Sequence, residues 1–416
     1  MRICLVTNEK LGESIRLEKM ARTLLRSGHE LALVCWLDKR KLPIKFCETI
    51  PVYGIFRPKS RLINKLLTQV YKLFYIDIWA LPFILKAIDR FCPHVVLVRD
   101  FDLVGTMLVA KKLRRFKVIY DVNDLVSYRI VSSSKVPQGD WVQFRNKLNA
   151  PLVGVNRIRH LESRYFHAVD RISIPNDHYK EKMLAMGVPG EKLVVLPNYE
   201  DLEWHETKSR APAVLRKYKD QFIISYVGAF YPRRGVDVLI RAMPMVLDTI
   251  PEAKLVLVGP VRDIEANLKL SLENLAREMG LSDYIEFTGT VPTELVLSYV
   301  DATDIGVIPF RDTIHTNNAV GHKVFMYMAA AKPLIVTNLH GQAEVVHKVG
   351  CGLLIPPDDP QHLAEAIVKL YHDPQLRHML GEKGKTAVQQ GYNWDVGSRE
   401  FMRMVDKLAM EIRNET

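Results

Sequence analysis

The chain has 416 residues, a net charge of +11, 48% hydrophobic and 25% charged residues. That length allows two domains with a core each, and the composition excludes disordered, collagen-like and disulfide-scaffold classes. No apolar run is long enough to span a bilayer. The five cysteines, odd in number and without a CxxC, point to reduced thiols in a cytoplasmic setting.

The first residues, MRICLVTN, enter a strand at Ile3–Val6 without the cationic and apolar stretches of a secretory signal. A helix at Ser14–Arg26, closed by Gly28, leads to a strand at Leu31–Trp36. A helical tract covers 61–91, with Pro82 as its expected break. Arg57, Lys59, Arg61, Lys65 and Lys72 are interleaved there with Leu62, Ile63, Leu66, Leu73 and Phe74. The tract 57–91 suits a helix lying on an anionic membrane, and equally a packed helix with a solvated basic face. His94–Val98 reads as a strand, 103–114 as a helix, and Val118–Tyr120 as a strand running into Asp121-Val122-Asn123-Asp124. Lys111, Lys112, Arg114, Arg115 and Lys117 add to the basic excess of the first half. No nucleic-acid motif accompanies it, so no nucleic-acid partner is expected. Ser132–Gly139, SSSKVPQG, reads as a mobile loop. A helix near 152–167 and strands at Arg171–Ile174 and Leu193–Leu196 complete a first domain, 1–196.

Residues 197–220 have mixed polarity and no period, as an interdomain linker would. Strands at 222–227, 254–258, 284–287, 304–308, 333–337 and 351–355 then alternate with helices through a second domain, 221–385. A helical tail, 386–416, is expected to cross back to the first. This alternation implies an α/β fold of parallel sheets with ligands at the strand C-termini.

Two loops stand out. In FIISYVGAFYPRRGVDVLIRA (222–242) a buried strand turns through Gly228, Arg233 and Arg234 into a helix. In NNAVGHKVFMYMAAAKP (317–333) a helix opens on Gly321, His322 and Lys323. Free amides, a positive dipole end and nearby cations at a helix start form an anion site suited to a diphosphate. The alternatives are a solvated arginine pair and an ordinary strand–helix unit. Asp100-Phe101-Asp102 has the DxD pattern but follows a strand of the other domain, so no metal role is assigned to it.

Together with GHELALV (Gly28–Val34), VVLVRD (Val95–Asp100), VIYDVNDL (Val118–Leu125) and VDRISIPNDHYKEKMLAMGVPGEKLVVLPNYED (169–201), these loops resemble glycosyltransferase family 4 over nearly the whole chain. The resemblance implies the GT-B type: two facing Rossmann-like domains with parallel sheets and an interdomain cleft. It implies retaining transfer of a sugar from a UDP- or GDP-sugar to a glycan or lipid-linked acceptor, without metal or other cofactor. Donor contacts fall on Gly12, Gly228, Arg233, Arg234, Thr290, Val291, Asn318, Gly321, His322 and Lys323. Acceptor contacts fall on Arg99, Asp100, Asp121 and Asn123, and catalytic roles on Arg234, Asn123 and Asp124. For Asp121 and Asp124 the alternative is capping of the turn after their strand.

The chain departs from the family pattern at defined places. Ala229 stands for a glycine and Arg234 for a lysine, a planar fork in place of a point charge. Asn318 and Met326 stand for two glutamates, the second of which would bind the donor ribose; that lost hydrogen bond is worth about 1.5–3 kcal/mol. Asn123 stands for a histidine and cannot shuttle a proton. These substitutions leave open a weak or inactive partner of another transferase, and the shared two-domain architecture leaves open a sugar-nucleotide epimerase.

Overall fold

A computed structural model describes residues 1–11, 14–37, 45–47, 49–134, 154–260 and 266–415. The chain divides into two compact units, Met1–Pro197 with Gly397–Thr416, and Asn198–Val396. Each is a parallel α/β sheet unit of the Rossmann-like kind.

The first unit holds β1 (Arg2–Lys10), β2 (Glu30–Trp36), β3 (Lys45–Phe46), β4 (Ile50–Ile55), β5 (Val95–Val98), β6 (Lys117–Asp121), β7 (Arg171–Ile174) and β8 (Leu193–Val195) in the order β3-β4-β2-β1-β5-β6-β7-β8. All pair in parallel except the β3–β4 hairpin. The central strands are uninterrupted apolar runs because both faces are covered: Val95 to Val98 are fully buried. Winding reverses between β1 and β5, the crevice where ligands sit in such sheets. Val6 pairs with Val98 and Val98 with Tyr120, so the loops after β1, β5 and β6 open side by side. β3 and β4 were not expected; Pro51 and Gly54 break the alternation that would reveal an edge strand.

The tract 61–91 breaks, but not at Pro82. It forms helices Arg61–Phe74 and Ala80–Phe91, and the break is at Tyr75, a left-handed cap with φ +52°. Asp77 Oδ1 accepts from the amides of Trp79 (3.0 Å) and Ala80 (2.9 Å) to start the second helix. Pro82 lies in that helix's first turn, where its missing N–H costs nothing. Ser132 to Ser134 close a helix, Val126–Ser134, and the rest of the expected loop lies outside the described residues. The final helix, Arg399–Glu415, belongs to this unit through Arg171–Glu411 (2.5 Å) and Lys117–Glu415 (2.6 Å) ion pairs.

The second unit holds β9 (Phe222–Val227), β10 (Ala253–Val258), β11 (Ile285–Gly289), β12 (Ile305–Ile308), β13 (Leu334–Thr337) and β14 (Gly352–Ile355) in the order β11-β10-β9-β12-β13-β14. Its switch point lies between β9 and β12, so the loops at 228–235 and 309–313 share one crevice. Residues 198–220 group with this unit and include short helices Leu202–Thr207 and Pro212–Lys217. Arg210 ties them down, donating to Asp301 (2.5 Å) and to the carbonyls of His205 (2.8 Å) and Lys208 (2.6 Å). No helix among the described residues is long and apolar enough to cross a membrane.

Candidate active site

The switch-point crevice of the second unit gathers cations on aromatic rings. β9 presents Tyr226, β12 runs into Phe310, and helix His322–Ala329 presents Lys323. The Lys323 ammonium lies 3.8 Å from the Tyr226 ring centre and 5.3 Å from that of Phe310. The Arg234 guanidinium lies 4.2 Å from the same Phe310 ring. Cation–π contacts are worth about 0.5–2 kcal/mol, rising as the cation is desolvated. Burial, then the Arg234 charge, hold Lys323 well below its usual range, and no carboxylate among the described residues opposes them. Two cations held together in this way leave an unmet demand for an anion.

The glycines explain the close packing. Gly228 has φ +133°, and a Cβ there would stand 2.7 Å from Lys323 Nζ, so a side chain would evict the lysine. Gly235 caps helix Val236–Leu247 at φ +65°, with a Cβ only 1.9 Å from the Pro309 carbonyl. Arg311 pins the turn Pro232–Arg234 from below, donating to Asp237 (2.7 Å), Asp358 (2.7 Å) and the Pro232 carbonyl (2.8 Å). Gly321 differs: its φ of −71° suits any residue, and a Cβ would meet nothing closer than 3.7 Å. Neither backbone nor packing demands glycine there.

The other expected donor residues spread around this cradle. Arg233 stacks on Tyr231 at 4.3 Å. Thr290 is exposed and Val291 half-buried just beyond Gly289, whose carbonyl accepts from the Gly259 amide at 3.2 Å. Gly259 in turn packs against Gly228, so this loop borders the cradle. Asn318 is buried and bonds back to the Ile314 carbonyl. His322 turns its Nε2 to the Glu200 carboxylate at 2.8 Å. Gly12 lies outside the described residues. Met326, where the family pattern has a ribose-binding glutamate, is 5% exposed in the core. Met326→Glu should lower the thermal midpoint by burying a charge, and would tighten nucleotide binding only if this position faces the ribose. Denaturation and calorimetry of this variant check both.

At the matching edge of the first unit, Arg99 donates to Glu9 (2.8 Å) and to Asn123 Oδ1 (3.2 Å), and Asn123 is exposed. Asp100 accepts from Thr7 Oγ1 (2.8 Å) and the Asn8 amide (2.7 Å). Asp102 accepts from Tyr71 (2.7 Å) and Asn8 (3.3 Å). Among the described residues no cluster of three or more His, Cys, Asp or Glu side chains is placed to hold a metal. Asp124 is half-buried; burial above all, with a smaller contribution from the Asp124 charge, raises the Glu162 carboxyl.

Asp121 departs from expectation. It is fully buried and accepts from Arg16 Nε (2.9 Å), a second Arg16 nitrogen (2.7 Å) and Ser173 (2.7 Å). It holds the strand edge together and has no surface to offer an acceptor hydroxyl. Arg16, Glu9, Tyr226, Glu200, Phe310 and Arg311 were not foreseen, since their partners are distant in sequence and no local motif marks them.

The description "Glycosyl transferase 4-like domain" matches residues 12–199, and "Glycosyl transferases group 1" matches residues 207–387. The chain belongs to the family 4-like glycosyltransferases. An uncharacterized glycosyltransferase of Methanocaldococcus jannaschii is 22% identical over 343 residues, 82% of this chain and 81% of that one. A GDP-mannose-dependent alpha-(1-6)-phosphatidylinositol monomannoside mannosyltransferase of Mycobacterium tuberculosis is 25% identical over 54% of this chain and 59% of its own length. HepE of Anabaena, crystallised with UDP-glucose, superposes with a TM-score of 0.72 at 15% identity over 99% of this chain and 100% of that one. This glycosyltransferase thus has the GT-B fold, with its cation cradle at the switch point of the group 1 unit.

Proposed function

We propose that this glycosyltransferase moves a sugar, with retention, from a UDP- or GDP-sugar to a glycan or lipid-linked acceptor of cell-surface polysaccharide or glycolipid, at the cytoplasmic face of a membrane. The observation that carries this reading is the Arg234–Lys323 pair, both over the Phe310 ring, with no opposing carboxylate among the described residues. A diphosphate supplies the missing charge, and the amides after Gly321 add donors. Donors aimed at a departing group are worth roughly 3–4 kcal/mol each, and retaining front-face transfer asks for no enzymic nucleophile. The charge is met by protein groups, so the reaction needs no metal for it. Arg99, Asp100 and Asn123 would orient the acceptor. The UDP-glucose bound by the Anabaena protein and the GDP-mannose dependence named for the mycobacterial one support both donor classes. An epimerase would need acid–base carboxylates facing Lys323, and none among the described residues acts on it.

Calorimetric titration with UDP and GDP tests the donor site. One of them should bind at micromolar concentration with net proton uptake at alkaline pH. The diphosphate raises the depressed Lys323 value, so the bound state holds more protons. Absence of binding by either nucleotide would remove the reading.

Helix Arg61–Phe74 supports the membrane part. No residue of it is buried, and Leu62, Leu66 and Phe74 are 77%, 63% and 62% exposed. Arg61, Lys65 and Lys72 each precede Leu62, Leu66 and Leu73, so a basic stripe runs one step around the helix from an apolar one. Tyr71 and Asn64 fasten the opposite side, through Asp102 (2.7 Å) and the Pro58 carbonyl (2.8 Å). Apolar burial with roughly 1 kcal/mol per basic residue suits an anionic bilayer surface. Leu62→Asp/Leu66→Asp should cut sedimentation with phosphatidylglycerol vesicles at least tenfold, leaving nucleotide affinity unchanged. Unaltered sedimentation would place membrane contact elsewhere or nowhere.

A further inference from the structure

The basic run at 111–117 has no part in the donor site. It lies where the strands of the first unit begin, at the opposite end from Arg99, Asp100 and Asn123. Arg2, His94 and Lys117 stand side by side there. The His94 amide donates to the Arg2 carbonyl and the Lys117 amide to the His94 carbonyl, each at 2.9 Å. A cavity of about 790 Å³ opens beside them, lined by apolar Ile88, Phe116 and Ile412 and by the cations Arg2, Lys111, Arg114, Arg115 and Lys117. Asp89, Asp170 and Glu415 line it too, and each is committed to one cation: to Arg114 (2.5 Å), Lys111 (2.6 Å) and Lys117 (2.6 Å). Arg2 and Arg115 are left over. Neither makes an ion pair among the described residues, Arg115 is exposed, and Arg2 Nε is buried without a hydrogen-bond partner. Burial, then the Arg2 charge, hold His94 below its usual value, so it is neutral at pH 7 and cancels nothing.

We propose that this cavity binds a phosphate-bearing organic molecule, at the end of the first unit away from its switch-point crevice. The chemistry follows from what remains after pairing. Five cations against three carboxylates leave a surplus of two positive charges, and a phosphate monoester carries about −1.5 to −2 at pH 7. Guanidinium forks meet phosphate oxygens in pairs, which suits the unpaired Arg2 and Arg115. Helix Phe101–Leu113 ends here, and Lys111 in its last turn complements the negative helix end. That reason covers neither Arg2, which opens β1, nor Arg115, which lies beyond the helix. Small-molecule sites have volumes of about 300–1,000 Å³, so the space exceeds what inorganic phosphate fills. The apolar lining suits an organic part, of sugar-phosphate to nucleotide size. Ile412 and Glu415 bring the last helix to the same cavity, so an occupant ties that helix to the starts of β1, β5 and β6.

The test titrates the intact chain at low ionic strength, by calorimetry, with glucose 6-phosphate, AMP, dihexanoyl phosphatidic acid below its micelle concentration, and inorganic phosphate. At least one of the three organic phosphates should bind more tightly than inorganic phosphate. Binding of the lipid alone would name a headgroup as the occupant, and binding of glucose 6-phosphate or AMP a free metabolite. Arg2→Gln/Arg115→Gln should weaken that binding at least tenfold and leave the affinity for UDP or GDP unchanged. The fold does not depend on these two side chains, since neither holds a protein partner. Arg234→Ala separates this cavity from the donor cradle and should leave the binding intact. Loss of binding in Arg234→Ala with retention in Arg2→Gln/Arg115→Gln would put the phosphate in the cradle and overturn the proposal. Absence of binding by all three organic phosphates would overturn it as well. In the unaltered protein the Arg2 side-chain 15Nε–Hε signal should shift on saturation, and an unmoved signal would also sink the proposal. Neither UDP nor GDP binding is needed for these readouts, so they stand apart from the donor reading.

Discussion

Replacing Arg234 with alanine should lower kcat/KM at least a hundredfold while moving the thermal midpoint by little. The guanidinium is partly exposed, sits over Phe310, and lies beside the Lys323 cation. Removing it relieves like-charge repulsion on Lys323 in the free protein, so stability is not what it supplies. Its contribution appears when negative charge grows on the departing diphosphate, where one well-placed donor is worth roughly 3–4 kcal/mol. Lysine at this position should restore only part of the rate, because a point charge neither stacks flat on Phe310 nor offers two parallel N–H donors. Steady-state kinetics on the alanine and lysine variants, with a thermal melt beside each, check the claim. Near-normal turnover of the alanine variant would take Arg234 out of the chemistry.

The largest stability effect is expected at Arg16. Its guanidinium makes two bonds to Asp121 and one to the Leu196 carbonyl (3.0 Å), so it clasps the end of β6 to the last residues of the first unit's main segment. Burial alone would raise the Asp121 carboxyl. The Arg16 charge and hydrogen bonds outweigh it, with Arg99 and Ser173 adding to them, and hold it below its usual value. Arg16→Met should destabilise the first unit by about 3–5 kcal/mol, since it leaves a carboxylate buried without its main counter-charge. The sign of the pH dependence follows. In the unaltered protein the depressed value means stability is present at neutral pH and is lost as pH falls through the folded value. In the variant Asp121 is no longer depressed and protonates more readily, so the deficit should shrink on acidification. Urea denaturation at pH 7 and pH 5, with Asp121→Leu added to Arg16→Met as a rescue, measures both effects. A loss below 1 kcal/mol at pH 7 would contradict the clasp.

The strands were legible in the sequence because both sheets are parallel and covered on both faces. Runs such as VVLV at 95–98 and FIISYV at 222–227 then have no polar interruptions to disguise them. β4 was not, because an edge strand tolerates the Pro51 and Gly54 that argue against a strand. The break at Tyr75 was missed because a left-handed tyrosine carries no local signature, whereas Pro82 carries a strong one that its place in a first turn makes harmless.

The sequence by itself determined the fold family, the two strand-to-helix loops and the cations at 233, 234 and 323. These are local patterns of period, glycine and charge, readable wherever a strand turns into a helix. Only the tertiary structure decided which charges are already neutralised. Asp121 looked available and is saturated by Arg16. Met326 looked like a lost ligand contact and is core. Glu200 had no signature and lies against His322. The reason is that pairing depends on which side chains the sheets bring within a few ångströms, and partners such as Arg16 with Asp121 or Glu200 with His322 are set by strand order and helix packing rather than by neighbours in the chain.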